Sequence, residues 1–70
     1  MDTSVYKIIE VVGTSTESWE KAAEVAIMTA ARHIEDIRVG EVISQDMHVE
    51  DTIITYRIRL KLSFKYHDDK

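Results

Sequence analysis

Residues 54–66 read ITYRIRLKLSFKY, and apolar and polar side chains alternate at every position of this stretch. Because successive side chains of a β-strand point to opposite faces, the pattern predicts one strand with an apolar face and a basic face. So long a strand exceeds what the rest of a 70-residue chain can cover, which predicts contact with another copy of the chain. The apolar set is Ile54, Tyr56, Ile58, Leu60, Leu62, Phe64 and Tyr66, and the basic set is Arg57, Arg59, Lys61 and Lys65.

Before this strand, the sequence predicts a first strand and a helix. Residues 5–12 are rich in Val, Ile and Tyr and predict a buried strand, ended by the glycine that follows. Thr14 and Glu17 have the spacing of a capping box, so we predict that a helix begins near them and runs to His33 or Ile34. Its apolar stripe consists mostly of alanines, which allows the helix to lie close to a sheet.

The segment between the helix and the last strand predicts a hairpin. Residues 37–49 indicate a second strand, in which Gly40 predicts a bulge. Residues 50–52 then predict the reversal into the last strand. The resulting order, β-α-β-β, predicts an α+β fold in which a three-stranded antiparallel sheet wraps on one helix, as a single domain of residues 1–70.

Composition narrows the classes of function. Cysteine is absent, which excludes disulfides and thiolate metal sites. A net charge of −4 disfavours nucleic-acid binding, and the basic row of the last strand is interpreted as pairing with acidic neighbours, with an anion or phosphate site as the alternative. No stretch approaches the apolar length of a membrane span, so we expect a soluble cytoplasmic protein with no membrane partner.

The sequence predicts no catalytic function. His33, His48 and His67 are widely separated, and none has a neighbouring Ser or Cys in an arrangement that would suggest an activated nucleophile. The two glycines are also too far apart to form a glycine-rich phosphate loop. We therefore expect a binding or structural protein, in which the single tryptophan, Trp19, is a core or interface residue.

Several short segments of the chain form a recognisable set: Val5-Tyr6-Lys7, Val12-Gly13-Thr14-Ser15, Ser18-Trp19, Ala22-Ala23, Thr55-Tyr56 and Phe64. They resemble the dodecin family, and the resemblance extends over nearly the whole chain. The resemblance implies a β-α-β-β subunit whose sheet partly wraps its helix. It also implies that twelve copies close into a hollow homododecamer of cubic symmetry, the kind of assembly that the long last strand requires.

The resemblance implies a flavin site, with FMN or riboflavin as the cofactor. Flavin-binding dodecins stack the ring on a tryptophan and hydrogen-bond its edge with a glutamine, and the matching positions here hold Val39 and Arg57. Val39 has no aromatic face, and Arg57 donates hydrogen bonds but cannot accept them. The two substitutions predict that flavin binding of the usual type is weakened.

Other segments look closer to the branch of the family described as calcium dodecin. They are Trp19-Glu20-Lys21-Ala22-Ala23, Asp36-Ile37-Arg38-Val39, Gln45-Asp46-Met47 and Thr55-Tyr56-Arg57-Ile58. The chain has no single calcium loop of alternating Asp residues, so an ion would need carboxylates repeated around a symmetry axis. The candidate metal ligands are Asp46, His48 and Glu50, with Asp51 beside them or Glu35 and Asp36 as an alternative group.

Three hypotheses follow for function. The first is a non-enzymatic homododecameric shell that binds or stores a small-molecule ligand or divalent cation, either calcium or a nonstandard flavin-like ligand. The second is a structural or interaction shell without a bound cofactor. The third is a flavin-binding storage dodecin.

Overall fold

A computed structural model describes residues 4–66 and places four elements in the predicted order. They are β1 (Tyr6–Ser15), α1 (Trp19–Ala31), β2 (Ile37–Glu50) and β3 (Ile53–Lys65). The strands form one antiparallel sheet in the order β1-β3-β2, so the last strand of the chain lies at the centre. Helix α1 crosses one face of the sheet, which confirms the predicted β-α-β-β fold.

The alternation in β3 determines which side chains enter the core. Ile58, Leu60 and Leu62 point towards α1 and are buried, and Leu60 and Leu62 are the most completely buried of the three. Ala22 and Ala26 of the helix complete the buried cluster among residues 4–66. The predicted facing is therefore confirmed at the centre of β3, whereas Ile54 near its start and Tyr66 just after its end are exposed.

Strand β1 continues through Gly13, so the prediction that this glycine ends the strand is wrong. Gly13 pairs with Ile58, and its backbone needs no positive φ angle. A Cβ atom built on Gly13 would overlap the Ala22 carbonyl oxygen and lie 2.8 Å from the Ala26 Cβ. The glycine is required because α1 lies directly against the strand at this point.

The helix begins at a different cap from the predicted one. Ser18 is the N-cap residue, with extended backbone, and its Oγ accepts a hydrogen bond of 3.0 Å from the Lys21 amide. Thr14 belongs to β1, so the predicted capping box with Glu17 does not form. The helix ends at Ala31, two to three residues before the predicted end.

The β2–β3 hairpin extends beyond the helix. The 14 residues of β2 span about 45 Å, whereas the 13 residues of α1 span about 20 Å. Shifts in the pairing register lie on either side of Gly40, between Ile37 and Val39 and between Val42 and Ser44, which agrees with the predicted bulge region. Asp51 makes the reversal with a positive φ of 56°.

We call residues 45–56 the hairpin arm. Four of its large apolar side chains, Met47, Val49, Ile53 and Ile54, remain exposed within one chain, with exposed fractions from 40% for Ile54 to 64% for Val49. Among residues 4–66, no helix is long and apolar enough to cross a lipid bilayer. His67 lies outside the described residues.

Candidate functional site

The sheet has a helix face, covered in part by α1, and an opposite face that we call the open face. Residues directly paired across antiparallel strands share one face. Arg57, Arg59 and Lys61 point away from the buried side of β3, so their partners on β1 and β2 also lie on the open face. Most of the charged side chains of the sheet are therefore collected on this surface.

Three members of the basic row of β3 lie beside acidic side chains of the neighbouring strands, whereas Lys65 stands opposite Tyr6 of β1. Arg57 Nε donates to Asp46 Oδ1 on β2 at 2.8 Å. Arg59 Nη1 lies 3.8 Å from Glu10 Oε2 on β1. Lys61 stands opposite glutamates on both sides, Glu10 on β1 and Glu41 on β2. For Arg57, Arg59 and Lys61 this arrangement agrees with the predicted pairing with acidic neighbours.

The predicted metal ligands Asp46, His48 and Glu50 lie along the open face of β2. They stand opposite Arg57, Thr55 and Ile53 of β3 in turn. His48 Nε2 is 3.6 Å from Glu50 Oε1, and both side chains are exposed. Four residues of strand separate the Cα atoms of Asp46 and Glu50 by about 13 Å, so one chain does not place both carboxylates on one ion.

The alternative acidic group, Glu35 and Asp36, lies at the entry to β2. Asp36 has a positive φ of 62°, and its Oδ1 is 3.7 Å from Arg38 Nη2. Within residues 4–66, no three His, Cys, Asp or Glu side chains come together in a group that could hold a metal ion. Glu35 and Asp36 therefore belong to no such group in the described part of one chain.

Trp19 packs against the hydrophobic core and also binds the backbone of Asp46 on β2. Its Nε1–H donates to the Asp46 carbonyl oxygen at 3.0 Å, and its ring meets the Tyr56 ring edge-on at a centroid distance of 5.2 Å. The sequence predicted a core or interface role for Trp19 but missed this contact. No sequence signal could have shown it, because the contact depends on where β2 passes the first turn of α1.

The flavin-site positions Val39 and Arg57 both lie on the open face but far apart. Val39 pairs with Ser63, six residues along β3 from Arg57, which corresponds to about 20 Å. Val39 is exposed, and the Arg57 guanidinium is engaged with Asp46. One chain therefore does not bring these two side chains onto the same ring.

A groove between α1 and the edge of β1 was not predicted from the sequence. It has a volume of about 450 Å³ and a mostly apolar lining. Val11 and Val12 contribute from the strand, and Val25 and Ala30 from the helix, with His33 also in the lining. Like the hairpin arm, the groove leaves apolar side chains of the single chain uncovered, including Val12 and Val25.

Comparison with known proteins identifies the family. The dodecin family model matches residues 5–67. Calcium dodecin of Mycobacterium tuberculosis is 54% identical over 63 residues, which cover 89% of each chain. A crystal structure described as the calcium-chelating immunodominant antigen calcium dodecin, from the same organism, superimposes with a TM-score of 0.85 at 50% identity, covering 96% of this chain and 97% of that one.

A dodecin from Streptomyces coelicolor gives a TM-score of 0.91 at 27% identity, covering 99% of this chain and all of the other. Both TM-scores show that these structures share the backbone fold described above for this chain. Together with the match over residues 5–67, this similarity shows that the chain belongs to the dodecin family.

Proposed function

We propose that this protein is a non-enzymatic homododecameric shell that binds calcium through carboxylates contributed by several copies. The observation that carries the proposal is the exposed row of Asp46 and Glu50 on the hairpin arm, which one chain cannot combine into a site. The similar protein from Mycobacterium tuberculosis is named calcium dodecin, which supports calcium as the ion.

The uncovered apolar surface of the chain supports assembly. The buried cluster in residues 4–66 contains five side chains, of which two are alanines. Met47, Val49 and Ile54 lie beyond the helix on one face of the arm, and all three are exposed. Monomeric proteins rarely keep such a contiguous apolar surface in water, and small domains often gain stability by oligomerisation. We propose that other copies cover the arm.

The donor chemistry is suitable for calcium only when copies are combined. Calcium takes six to eight oxygen ligands, whereas Asp46 and Glu50 supply at most two each and lie too far apart to share an ion. Repetition of one carboxylate around a symmetry axis would multiply its oxygens at a single point. His48 offers nitrogen, which suits transition metals better than calcium, so we assign it a place beside Glu50 and no direct calcium bond.

We expect the purified protein to have a native mass of twelve times the 8.1 kDa chain and to bind calcium in that form. Trp19 provides a reporter, because its indole is hydrogen-bonded to the Asp46 backbone. Terbium, a luminescent substitute for calcium, should emit when Trp19 is excited, and added calcium should suppress the emission. Asp46→Asn and Glu50→Gln should each be compared with the wild type.

Glu24→Gln is the matched control, since Glu24 is an exposed carboxylate on the helix whose Oε1 lies 3.6 Å from Lys21 Nζ. Loss of emission in Asp46→Asn or Glu50→Gln, with emission retained in Glu24→Gln, would support the proposed ligands. An intact dodecamer that binds neither terbium nor calcium would favour a structural shell. Quenching of FMN or riboflavin fluorescence by the wild type would favour the flavin hypothesis instead.

A further inference from the structure

We infer that Arg57 competes with calcium for the Asp46 carboxylate and thereby sets the affinity of the site. This inference rests on the proposed function, because it concerns a residue next to the proposed ligand. Arg57 Nε donates to Asp46 Oδ1 at 2.8 Å, a distance typical of a charge-assisted hydrogen bond. The corresponding pair two residues along the same strand, Arg59 with Glu10, is longer at 3.8 Å.

The backbone holds Arg57 and Asp46 together. The two residues are direct partners in the β2–β3 register, so their side chains leave the sheet side by side on the open face. Trp19 also binds the Asp46 carbonyl and so anchors this part of β2 to the core. The Arg57–Asp46 ion pair is therefore already formed in the folded chain. A calcium ion that binds Asp46 has to replace Arg57 as the partner of the carboxylate.

The Arg57–Asp46 pair is accessible enough for an ion to reach Asp46 and replace Arg57. The Arg57 side chain is 42% exposed and the Asp46 side chain 59% exposed. At such exposure an ion pair contributes little stability, so breaking it does not leave a buried charge without a partner. A divalent ion next to Asp46 would also be repelled by the guanidinium, because like charges a few ångströms apart interact appreciably even in water.

The test compares calcium titrations of the assembled wild type, Arg57→Gln, Arg57→Lys and Arg59→Gln after removal of metal by a chelator. Arg57→Gln should tighten calcium binding about 3-fold to 20-fold, since it removes one charge beside the ion. Arg57→Lys keeps the charge and should stay within about twofold of the wild type. Arg59→Gln removes the same charge one pair further along the row, where screening by salt reduces its influence, and should also change the affinity by about twofold or less.

Equal affinities for Arg57→Gln and Arg59→Gln would overturn the inference, because a general charge effect would then be sufficient. Asp46→Asn separates this failure from failure of the proposed function. Binding that is lost in Asp46→Asn but unchanged in Arg57→Gln refutes the competition alone, whereas binding unchanged in both refutes Asp46 as a ligand. If the wild type binds no calcium, binding by Arg57→Gln supports the competition and its absence refutes it.

A second measurement needs no substitution and remains valid if Arg57→Gln fails to assemble. In the wild-type protein, added calcium should shift the Nε–H resonance of Arg57 in the NMR spectrum, because its hydrogen bond to Asp46 is replaced. The Arg59 Nε–H resonance should stay in place. Bound calcium without a change at Arg57 would contradict the inference.

Discussion

Leu62→Ala is expected to lower the free energy of unfolding by about 2 to 5 kcal/mol. Leu62 has an exposed fraction of 0% and lies in the middle of the cluster formed by β3 and α1. Removing its side chain loses buried apolar contacts and leaves a cavity that the neighbouring alanines are too small to fill. Urea unfolding followed by circular dichroism would measure the loss, at equal protein concentrations because assembly contributes to stability.

Lys61→Ala is the matched control for this prediction. Lys61 is the neighbour of Leu62 on the same strand, but it is exposed on the open face between Glu10 and Glu41. Its replacement should change the free energy of unfolding by about 0.5 kcal/mol or less, as for other surface substitutions. A loss for Lys61→Ala equal to that for Leu62→Ala would show that the facing of β3 is wrong.

Gly13→Ala is expected to lower the free energy of unfolding by a similar amount. Here the cause is overpacking, whereas in Leu62→Ala it is a cavity. A methyl group at this position would overlap the Ala22 carbonyl oxygen, which is part of the helix backbone and cannot move away by a change of rotamer. Overpacking of a core typically costs about 1 to 3 kcal/mol, and we expect the upper end of this range or more because backbone is involved. A lower melting temperature, together with loss of the dodecamer in the native mass spectrum, would be the expected result.

Gly40→Ala offers a control with the same chemical change. A Cβ atom at Gly40 would lie 3.3 Å from Ile27 Cδ1 and 3.4 Å from Leu62 Cδ2, and both are ends of flexible side chains. Small rotations of these side chains can make room, so Gly40→Ala should change stability by about 1 kcal/mol or less. Equal destabilisation by the two substitutions would contradict the close approach of α1 to β1 at Gly13.

The proposed site gives the hairpin arm two roles in one element. Met47, Val49 and Ile54 lie on the same face of the sheet as α1, since Met47 pairs with Tyr56 and Val49 with Ile54. They are exposed and offer apolar surface for another copy. On the opposite face, Asp46 and Glu50 offer carboxylates. Contact between copies would then bring carboxylates from different chains together, so that we expect calcium binding and assembly to support each other.

The features predicted correctly from the sequence depend on local periodicity. Alternation with period two over residues 54–66 predicted β3, its buried face and its basic face, and the structure confirms these for Leu60, Leu62 and Arg57. The resemblance to dodecins was also carried by local segments, and the family match over residues 5–67 confirms it. Features of this kind are determined by residues that are adjacent in the sequence.

The wrong predictions concern positions where a distant element decides the local structure. Gly13 was interpreted as the end of a strand, but the strand continues and the helix backbone requires the glycine. Thr14 was predicted to cap the helix, but it is held in the extended β1 strand, so Ser18 becomes the cap. In both cases the residue type was informative, and its role depended on packing between α1 and β1.

The candidate site was predictable in its residue types and not in its contacts. The sequence identified Asp46, His48 and Glu50 as candidate ligands and Arg57 as a replaced flavin contact. It did not show that Arg57 binds Asp46, because their pairing follows from a two-residue turn at Asp51 and Thr52, whereas the reversal was predicted over residues 50–52. The metal role of the three residues on β2 stays a prediction.

The sequence by itself determined the element order, the two faces of β3 and the family, since each follows from periodicity or from segments of adjacent residues. Only the tertiary structure decided that Trp19 binds the Asp46 backbone and that Arg57 pairs with the Asp46 carboxylate. It also decided that Gly13 allows α1 to lie directly against β1. The physical reason is that these contacts join residues far apart in the chain, and their partners are chosen by strand register and by the close packing of α1 on the sheet.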